Sequence, residues 1–287
     1  MVKISAILTT FNCRRFVENS LKSILNQSYK PFEVIVVDDH STDGTFEILK
    51  NLQKEYDFKL LQNEENLERC QTRNRGVELA KGNYVCFLDC DDLWKENFLE
   101  NLKKIFEREP DAVYGPPKGF VNAEGKVIKE KKPLKVPKLK RLLFAGRMAY
   151  PSGSCFKRET FKRLGGYKDR YLMREDWEIF LRFYVNKAKI ELLPLGNYYI
   201  REHSNRSSRS RKFLRATLRV FKDYSPKLQK EEKAFISLHL AAQCLRFGFP
   251  SCGRKLFFET LKRYPKAITF KRELWEVLKR LPKGFKK

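Results

Sequence analysis

The chain has 287 residues, of which 42% are hydrophobic and 13% aromatic, enough apolar surface for a folded core and too much for a disordered chain. Its formal net charge is +25, but the excess lies towards the C-terminus: residues 1–100 carry a net charge of −4 and residues 201–287 carry +17. Because the slightly acidic first hundred residues hold most of the motifs, nucleic acid is not the expected partner.

The cysteines and the apolar segments indicate the compartment. The seven cysteines include no Cys-x-x-Cys pair, which predicts reduced thiols in a cytosolic protein, with neither a disulfide framework nor a zinc site. The apolar segment at residues 1–8 is too short for a secretory signal and is typical of a strand. No apolar run approaches the ~20 residues of a spanning helix.

The first 110 residues alternate strands and helices at short intervals. Apolar, β-branched runs predict strands at 2–9, 32–37, 59–62 and 84–88. Helical periodicity predicts helices at 16–26, 45–56, 69–80 and 95–108. This order predicts an α/β fold with a doubly wound, mostly parallel sheet, in which ligands bind at the carboxyl ends of the strands.

The second half of the chain has a different character. Residues 118–141 are rich in lysine and predict an exposed loop or hairpin. Further on, the pattern predicts strands at 154–157, 190–193 and 197–201 and helices at 158–164 and 174–184. From residue 211 to the end the pattern is helical and basic, which predicts a C-terminal helical extension.

Three acidic residues, Asp89, Asp91 and Asp92, follow the strand at 84–88. Carboxylates this close repel one another unless a cation lies between them, and Mg²⁺ or Mn²⁺ bridging a diphosphate fits this pattern. The alternative is a strand end with solvated acids and a helix cap. Both interpretations stay open from the residues alone, although the position at a strand end favours the metal.

A second acidic pair, Asp38 and Asp39, ends the strand at 32–37. A carboxylate at this point can accept a hydrogen bond from the imide N–H of uracil or thymine, or from N1–H of guanine. It could equally cap the following helix, a role that Ser41 or Asp43 could also take.

Taken together, these segments make the chain resemble glycosyltransferase family 2, with its GT-A fold, over about residues 1–205. The resemblance is carried, in order, by Ile7-Leu8-Thr9-Thr10-Phe11-Asn12, Val36-Val37-Asp38-Asp39-His40-Ser41-Thr42-Asp43-Gly44-Thr45, Arg73-Asn74-Arg75-Gly76, Gly82-Asn83-Tyr84-Val85-Cys86-Phe87-Leu88-Asp89-Cys90-Asp91-Asp92 and Glu175-Asp176-Trp177. It implies inverting transfer of a sugar from a nucleotide-diphosphate donor, most often a UDP sugar, to an acceptor hydroxyl.

The resemblance also implies roles for individual residues. Thr9 and Phe11 would line the base pocket, Asp39 would contact the base, and Arg73 would approach the nucleotide. The acidic element would act on the rest of the donor: Asp89 and Asp91 would touch ribose and sugar, and Asp91 and Asp92 would hold Mg²⁺ or Mn²⁺ against the diphosphate, with His203 near the metal. Asp176 would be the general base that deprotonates the acceptor. A helix N-terminus that favours acids is the alternative explanation for Glu175 and Asp176.

The sequence departs from the family at two points. The family commonly has glycine after Asn-Leu before the third helix, where this chain has Glu68, so the backbone of that loop is open to question. The Gln-x-x-Arg-Trp element of processive synthases is absent, which predicts a single addition per encounter. Arg201 and the cluster at 206–211 could close over the diphosphate as a lid, or could form a solvated loop.

The basic C-terminal segment predicts a membrane partner. Phe270, Leu274, Val277, Leu278 and Leu281 share one helical stripe, and the other side carries Lys and Arg. Such a helix can lie on an anionic membrane, where a lipid-linked acceptor would be found, or can dock its stripe on the protein. We therefore expect a catalytic domain at 1–210 (donor half 1–110, acceptor half 111–210), a tail at 211–287, and a location in the cytoplasm against the inner face of the membrane.

Two other function classes remain. A sugar nucleotidyltransferase also uses paired aspartates and a metal, but normally has a glycine-rich basic loop after the first strand, where this chain has Thr9-Thr10-Phe11-Asn12-Cys13-Arg14-Arg15. A non-catalytic nucleotide- or nucleic-acid-binding protein would use the basic tail instead.

Overall fold

The computed structural model describes residues 2–134, 138–148, 150–202 and 211–281. The chain packs into two compact units. The sheet unit comprises residues 1–137, 150–170 and 186–205, and the helical unit comprises residues 138–149, 171–185 and 206–287. The functional division that the sequence suggests, at residues 110 and 210, stays a prediction.

Strands and helices alternate through the first half of the chain, as the sequence predicts. The strands are β1 (Ile4–Thr10), β2 (Glu33–Asp38), β3 (Lys59–Gln62), β4 (Tyr84–Asp89), β5 (Leu93–Trp94), β6 (Ala112–Tyr114), β7 (Pro117–Val121), β8 (Val127–Glu130), β9 (Ser154–Lys157), β10 (Ile190–Leu192) and β11 (Gly196–Arg201). The α-helices are α1 (Val17–Leu25), α2 (Thr45–Leu52), α3 (Glu68–Leu79), α4 (Phe98–Phe106), α5 (Leu139–Phe144), α6 (Arg158–Arg163), α7 (Glu175–Val185), α8 (Arg211–Tyr224), α9 (Lys230–Arg246), α10 (Pro250–Arg263) and α11 (Lys271–Leu278).

The main sheet has seven strands in the order β10-β6-β9-β4-β1-β2-β3. β9 runs antiparallel to both of its neighbours, and the other pairs are parallel. The central strands β1, β2 and β4 are almost wholly buried, because helices cover both faces of a parallel sheet and leave no solvated face. The predicted doubly wound, mostly parallel sheet is therefore confirmed.

The order of the central strands brings the polar strand ends together. β1 lies between β2 and β4, so the chain changes direction across the sheet at β1. The register pairs Thr9 of β1 with Asp89 of β4, and Thr10 with Asp38 of β2. Three polar ends thus meet at one edge of the sheet, the position at which open α/β sheets bind ligands.

A second, four-stranded sheet has the order β5-β11-β7-β8. β7 and β8 form a hairpin within the lysine-rich segment, in agreement with the predicted hairpin. The C-terminal part of that segment is different: α5 buries Leu142, Leu143 and Phe144, a short helix that the density of basic residues hides in the sequence.

The helical unit has its own core. α9 packs against α5, α8, α10 and α11. Phe235 of α9 stacks on Phe270 with ring centroids 3.7 Å apart, and Val277 of α11 is fully buried. The expected helical C-terminal region is therefore confirmed, and two members of its apolar stripe face the protein.

One prediction about the cysteines is wrong. Cys86 of β4 and Cys155 of β9 are disulfide-bonded, whereas the sequence predicts only reduced thiols. The two residues are direct partners across an antiparallel pair, a proximity that their separation of 69 positions conceals. Across the described ranges, no helix is both long and apolar enough to span a membrane.

Candidate active site

The two carboxylates at the end of β2 accept hydrogen bonds from different donors. Asp38 accepts hydrogen bonds from the backbone N–H and hydroxyl of Ser41 and from Gln62. Asp39 is buried and accepts from the backbone N–H of Leu67 at 2.8 Å and from Asn63 Nδ2 at 2.7 Å. Asp39 therefore fixes the loop that precedes α3.

The carboxylate that contacts the first turn of α2 belongs to Asp43. Asp43 accepts a hydrogen bond from the backbone N–H of Thr45 at 3.0 Å. The alternative in which Asp39 caps this helix is thus not what the structure shows.

Thr9 and Phe11 follow each other at the end of β1 but differ in exposure. Thr9 is buried between Val37 and Asp89 in the register of the sheet. Phe11 is 47% exposed, so its ring is accessible from solvent. An exposed ring beside buried polar groups can stack on a flat apolar ligand.

The predicted residues Arg73 and Asp89 are in direct contact. The guanidinium of Arg73 donates to Asp89 Oδ1 at 2.7 Å, and it also lies over the ring of Tyr167 with 5.3 Å to the centroid. The arginine is 3% exposed and the aspartate 30%. α3 thus supplies a cation that orients the first carboxylate of the acidic element while leaving it accessible.

Asp92 is fully engaged by the protein. Its side chain is buried and accepts hydrogen bonds from the Ser152 hydroxyl at 2.5 Å and from the backbone N–H of Arg201 at 3.1 Å. Burial, with the nearby charges of Asp91 and Asp89, raises the pKa of Asp92 well above its usual value. Ser152 also accepts from the backbone N–H of Asp89 at 3.2 Å, so it joins both ends of the acidic element.

Arg201 holds the acidic element from the other side. Its Nε donates to the backbone carbonyl of Asp91 at 2.9 Å, and its Nη1 donates to the carbonyls of Asn122 and Ala123. The side chain is 1% exposed. This buried, carbonyl-binding arginine has a structural role, in contrast to the lid suggested by the sequence, and the rest of that basic cluster up to residue 210 lies outside the described residues.

The carboxylates of the acidic element are oxygen ligands of the kind that a divalent cation prefers. Among the described residues, no group of three or more His, Cys, Asp or Glu side chains converges as a metal site. Asp89 contacts Arg73, both oxygens of Asp92 accept hydrogen bonds from the protein, and Asp91 is half-buried, so the metal-binding roles of Asp91 and Asp92 stay predictions. His203, the third predicted ligand, lies outside the described residues.

A cleft of about 410 Å³ opens beside the loop after β1. Its wall includes two arginines, Arg14 and Arg15, and one carboxylate, Asp43. Asn12 in this wall adopts a left-handed backbone conformation with φ +49°. Asparagine is one of the few residues other than glycine that adopt this conformation readily, so Asn12 suits the turn after β1.

Asp176 lies in the helical unit, in the first turn of α7. Its Oδ1 accepts a hydrogen bond from the backbone N–H of Trp177 at 2.7 Å. Met173, just before this turn, has φ +81°. A helix N-terminus interacts favourably with a carboxylate, and Asp176 occupies such a position.

Beneath this turn, Arg174 is buried against two aromatic rings. Its guanidinium lies 4.2 Å from the ring centroid of Trp177 and 4.7 Å from that of Phe213. Its Nη2 contacts Nε2 of His239 at 3.3 Å. Burial lowers the pKa of Arg174 to about 10 and the pKa of His239 well below its usual value, the latter helped by the positive charges of Arg174 and Arg147. Nε2 of the neutral imidazole therefore accepts from the guanidinium.

Ser152, Arg174 and His239 are the main groups that the sequence does not single out. Ser152 contacts Asp92 across 60 positions of sequence, and His239 contacts Arg174, which precedes the helix of Asp176, across 65 positions. Local patterns carry no signal for such pairs.

Comparison with known proteins identifies the family of the fold and its relatives. The family model described as "Glycosyl transferase family 2" matches residues 5–165. The uncharacterized glycosyltransferase MJ1057 of Methanocaldococcus jannaschii is 29% identical over 222 residues, which are 73% of this chain and 74% of that protein. The GalNAc(5)-diNAcBac-PP-undecaprenol beta-1,3-glucosyltransferase of Campylobacter jejuni is 36% identical over 132 residues, 45% of this chain and 42% of that protein.

Among solved structures, TarS of Staphylococcus aureus (residues 1–349) superposes with a TM-score of 0.65 at 18% identity. The match covers 97% of this chain and 89% of that one, which shows the shared fold. Another crystal structure of the same TarS fragment is in complex with UDP-GlcNAc.

Proposed function

Because the chain belongs to glycosyltransferase family 2, with the GT-A fold, we propose that it is an inverting transferase for a sugar carried on a nucleoside diphosphate, with a UDP sugar as donor. The observation that carries this proposal is the meeting of Thr9, Asp39, Arg73 and Asp89 at the carboxyl ends of β1, β2 and β4. The TarS complex with UDP-GlcNAc supports a nucleotide sugar as the donor for this fold.

The nucleoside would bind at the ends of β1 and β2. Phe11 is exposed enough to contact the base, and Thr9 would bound the pocket behind it. The Asp39 carboxylate, already held by Asn63 and Leu67, would accept the imide N–H of the base with its remaining lone pairs. Such a fixed acceptor selects bases that present an N–H at this position.

The diphosphate would bind at the acidic element with a divalent cation. Mg²⁺ is usually held by one or two carboxylates together with substrate phosphates and water, so it does not require an all-protein cage. Asp91 would hold the Mg²⁺ or Mn²⁺, and Asp92 would support the backbone through Ser152 and Arg201. When bound, the cation neutralises the charge that grows on the leaving diphosphate.

Asp176 would act as the general base. The acceptor is an alcohol whose proton must leave as its oxygen attacks the anomeric carbon, and a single positioned carboxylate suffices for this. One direct displacement inverts the anomeric centre and forms no sugar–enzyme bond. Arg174, buried under the same helical turn, would position that turn.

The acceptor would be a glycan or a lipid-linked sugar in cell-surface polysaccharide, lipopolysaccharide or glycolipid synthesis. The name of the Campylobacter relative gives an undecaprenol-diphosphate acceptor for that protein. A lipid-linked acceptor would bring this chain to the inner face of an anionic membrane, for which its basic C-terminal region is suited.

The test is calorimetric titration with UDP, GDP, dTDP and ADP, with and without Mn²⁺. We expect selective binding of UDP that is strengthened by Mn²⁺ and lost in Asp91→Asn. Asp57→Asn, a change at an exposed aspartate before β3, is the matched control and should bind normally. If none of the four nucleotides binds, the proposal is overturned.

Analysis of the released products distinguishes a glycosyltransferase from a nucleotidyltransferase. Transfer of a sugar releases a nucleoside diphosphate, whereas a nucleotidyltransferase releases pyrophosphate. Release of pyrophosphate would contradict a glycosyltransferase reaction.

A further inference from the structure

Two cysteines meet between neighbouring helices of the helical unit. Cys244, near the end of α9, and Cys252, in the first turn of α10, have their sulfur atoms 3.5 Å apart. Cys244 is buried and Cys252 is exposed. The pair therefore combines one thiol that reagents in solution can reach with one that is buried in an apolar cluster of the helical unit.

The turn between the helices fixes this meeting. Gly248 has φ +83°, a conformation that favours glycine, and it reverses the chain directly after α9. The backbone N–H of Phe249 then donates to the carbonyl of Cys244 at 2.9 Å, as in a Schellman motif. Cys244 is thus part of the hydrogen-bonded turn that starts the return path to Cys252.

The helices also approach closely beside the cysteines. A Cβ atom added to Gly253 would lie 2.6 Å from Cγ of Leu245 and 3.0 Å from the carbonyl of Ala241. Gly253 and Leu245 are the chain neighbours of Cys252 and Cys244. The absence of a side chain at Gly253 lets the two backbones come near enough for a link between side chains as short as cysteine, which requires close Cα atoms.

We propose that Cys244 and Cys252 form a thiol–disulfide exchange site whose oxidant is a low-molecular-weight disulfide. The Cys252 thiolate attacks one sulfur of the reagent, forms a mixed disulfide and releases one thiolate. Cys244, after losing its proton to solvent, attacks the Cys252 sulfur and displaces the second thiolate. Two protein thiols are oxidised to one disulfide and the reagent is reduced to two thiols.

The surroundings of Cys244 determine how the second step responds to pH. Burial and the contact with Cys252 raise the pKa of Cys244 to about 12. Because the attacking species is the thiolate, ring closure should quicken as the pH rises. The resulting link would tie α10 to α9, the helix that also carries His239 and Phe235. This site does not depend on the proposed glycosyltransferase activity.

The experiment treats the full chain with oxidised glutathione and maps the cysteine peptides without reduction. We expect a peptide that joins Cys244 to Cys252 and little stable glutathione adduct. Cys244→Ser should instead accumulate glutathione on Cys252, and Cys252→Ser should form neither product. Cys70→Ser, a change at a buried cysteine of the sheet unit, is the matched control and should still form the link.

Either of two results would contradict this exchange reaction. A native chain that retains glutathione on Cys252 without joining Cys244 would overturn the proposal, as would a chain in which neither cysteine reacts while it stays folded. Since Cys252 is exposed, its serine variant should fold normally, and a circular dichroism spectrum checks this point.

Discussion

The Arg73 guanidinium lies 2.7 Å from the Asp89 carboxylate, joining α3 to the end of β4. The resemblance implies that Arg73 approaches the nucleotide, and in the structure its guanidinium contacts Asp89, which the resemblance expects to touch the donor. Because the arginine is buried and the aspartate only partly so, the pair holds one carboxylate in a fixed orientation at the edge of the sheet.

Loss of this pair should weaken donor binding. In Arg73→Ala, Asp89 loses its partner and the acidic element gains one net negative charge, which repels a diphosphate. We expect the nucleoside diphosphate Kd to rise about tenfold or more, corresponding to roughly 1.4 kcal/mol or more. Arg69→Ala, one turn earlier on α3, is the control, and calorimetry that finds equal affinities for both variants would contradict this role.

The proposed base can be separated from donor binding. Asp176→Asn keeps the size of the side chain but removes the proton acceptor, so transfer should fall by about 10²-fold or more. The nucleotide affinity should be unchanged, because no donor contact is proposed for Asp176. Glu159→Gln, in the first turn of α6, is a matched change at another helix start and should leave turnover intact. Normal turnover by Asp176→Asn would remove it as the base.

Glu68 should be replaceable by glycine with a gain in stability. It has φ +64°, so it keeps the left-handed backbone for which glycine is the usual residue. This conformation costs a non-glycine residue about 1–2 kcal/mol, of which the greater freedom of glycine in the unfolded chain offsets part. We expect Glu68→Gly to raise the free energy of unfolding by up to about 1 kcal/mol in denaturant melts. Glu68→Ala keeps a Cβ atom, and with it the cost of the left-handed backbone, so it should give no such gain.

Glu68 also shows which features of the fold can be predicted from local sequence patterns and which cannot. The strand ends at Asp38 and Asp89 follow from local patterns, since apolar runs and their polar termini are visible residue by residue. The backbone at Glu68 does not, because the residue type there disfavours the conformation that the surrounding loop imposes.

Contacts across long separations form the second class of missed features. The Cys86–Cys155 disulfide and the Ser152–Asp92 hydrogen bond depend on which strands become neighbours. The helix at Leu139–Phe144 is missed for another reason, since it is short and follows a lysine-rich segment. Its apolar side becomes evident only once it is packed.

Buried His239 should make stability depend on pH. The pKa of His239 is well below 6.5 in the folded chain, so below pH 6.5 the unfolded chain binds a proton that the folded chain does not. Stability should therefore fall as the pH drops below 6.5, by up to about 1.4 kcal/mol per pH unit from this group. His239→Gln keeps an acceptor for Arg174 and should flatten that slope in denaturant melts between pH 6.5 and 5. His40→Gln, at an exposed histidine, serves as the comparison, and equal slopes in the two variants would count against His239.

The side chains available for the predicted membrane contact differ from those that the sequence suggests. Phe270 and Val277, two members of the apolar stripe, are buried in the helical unit, whereas Trp275 of α11 is 61% exposed and Ile268 just before that helix is 64% exposed. Two large apolar side chains in contact with water beside lysines suit the interface of an anionic bilayer.

Replacing those two side chains should therefore weaken membrane binding without unfolding the chain. Burial of a large apolar side chain contributes about 1.5–3 kcal/mol, so Ile268→Ala with Trp275→Ala should reduce binding to anionic vesicles about tenfold or more in flotation assays. Phe249→Ala, at an exposed aromatic residue in the turn before α10, controls for general loss of apolar surface. If the double variant and the parent bind anionic vesicles equally, this surface does not face the membrane, and the exposed basic residues of α8 become the next surface to test, because charge alone would then explain any binding that salt abolishes.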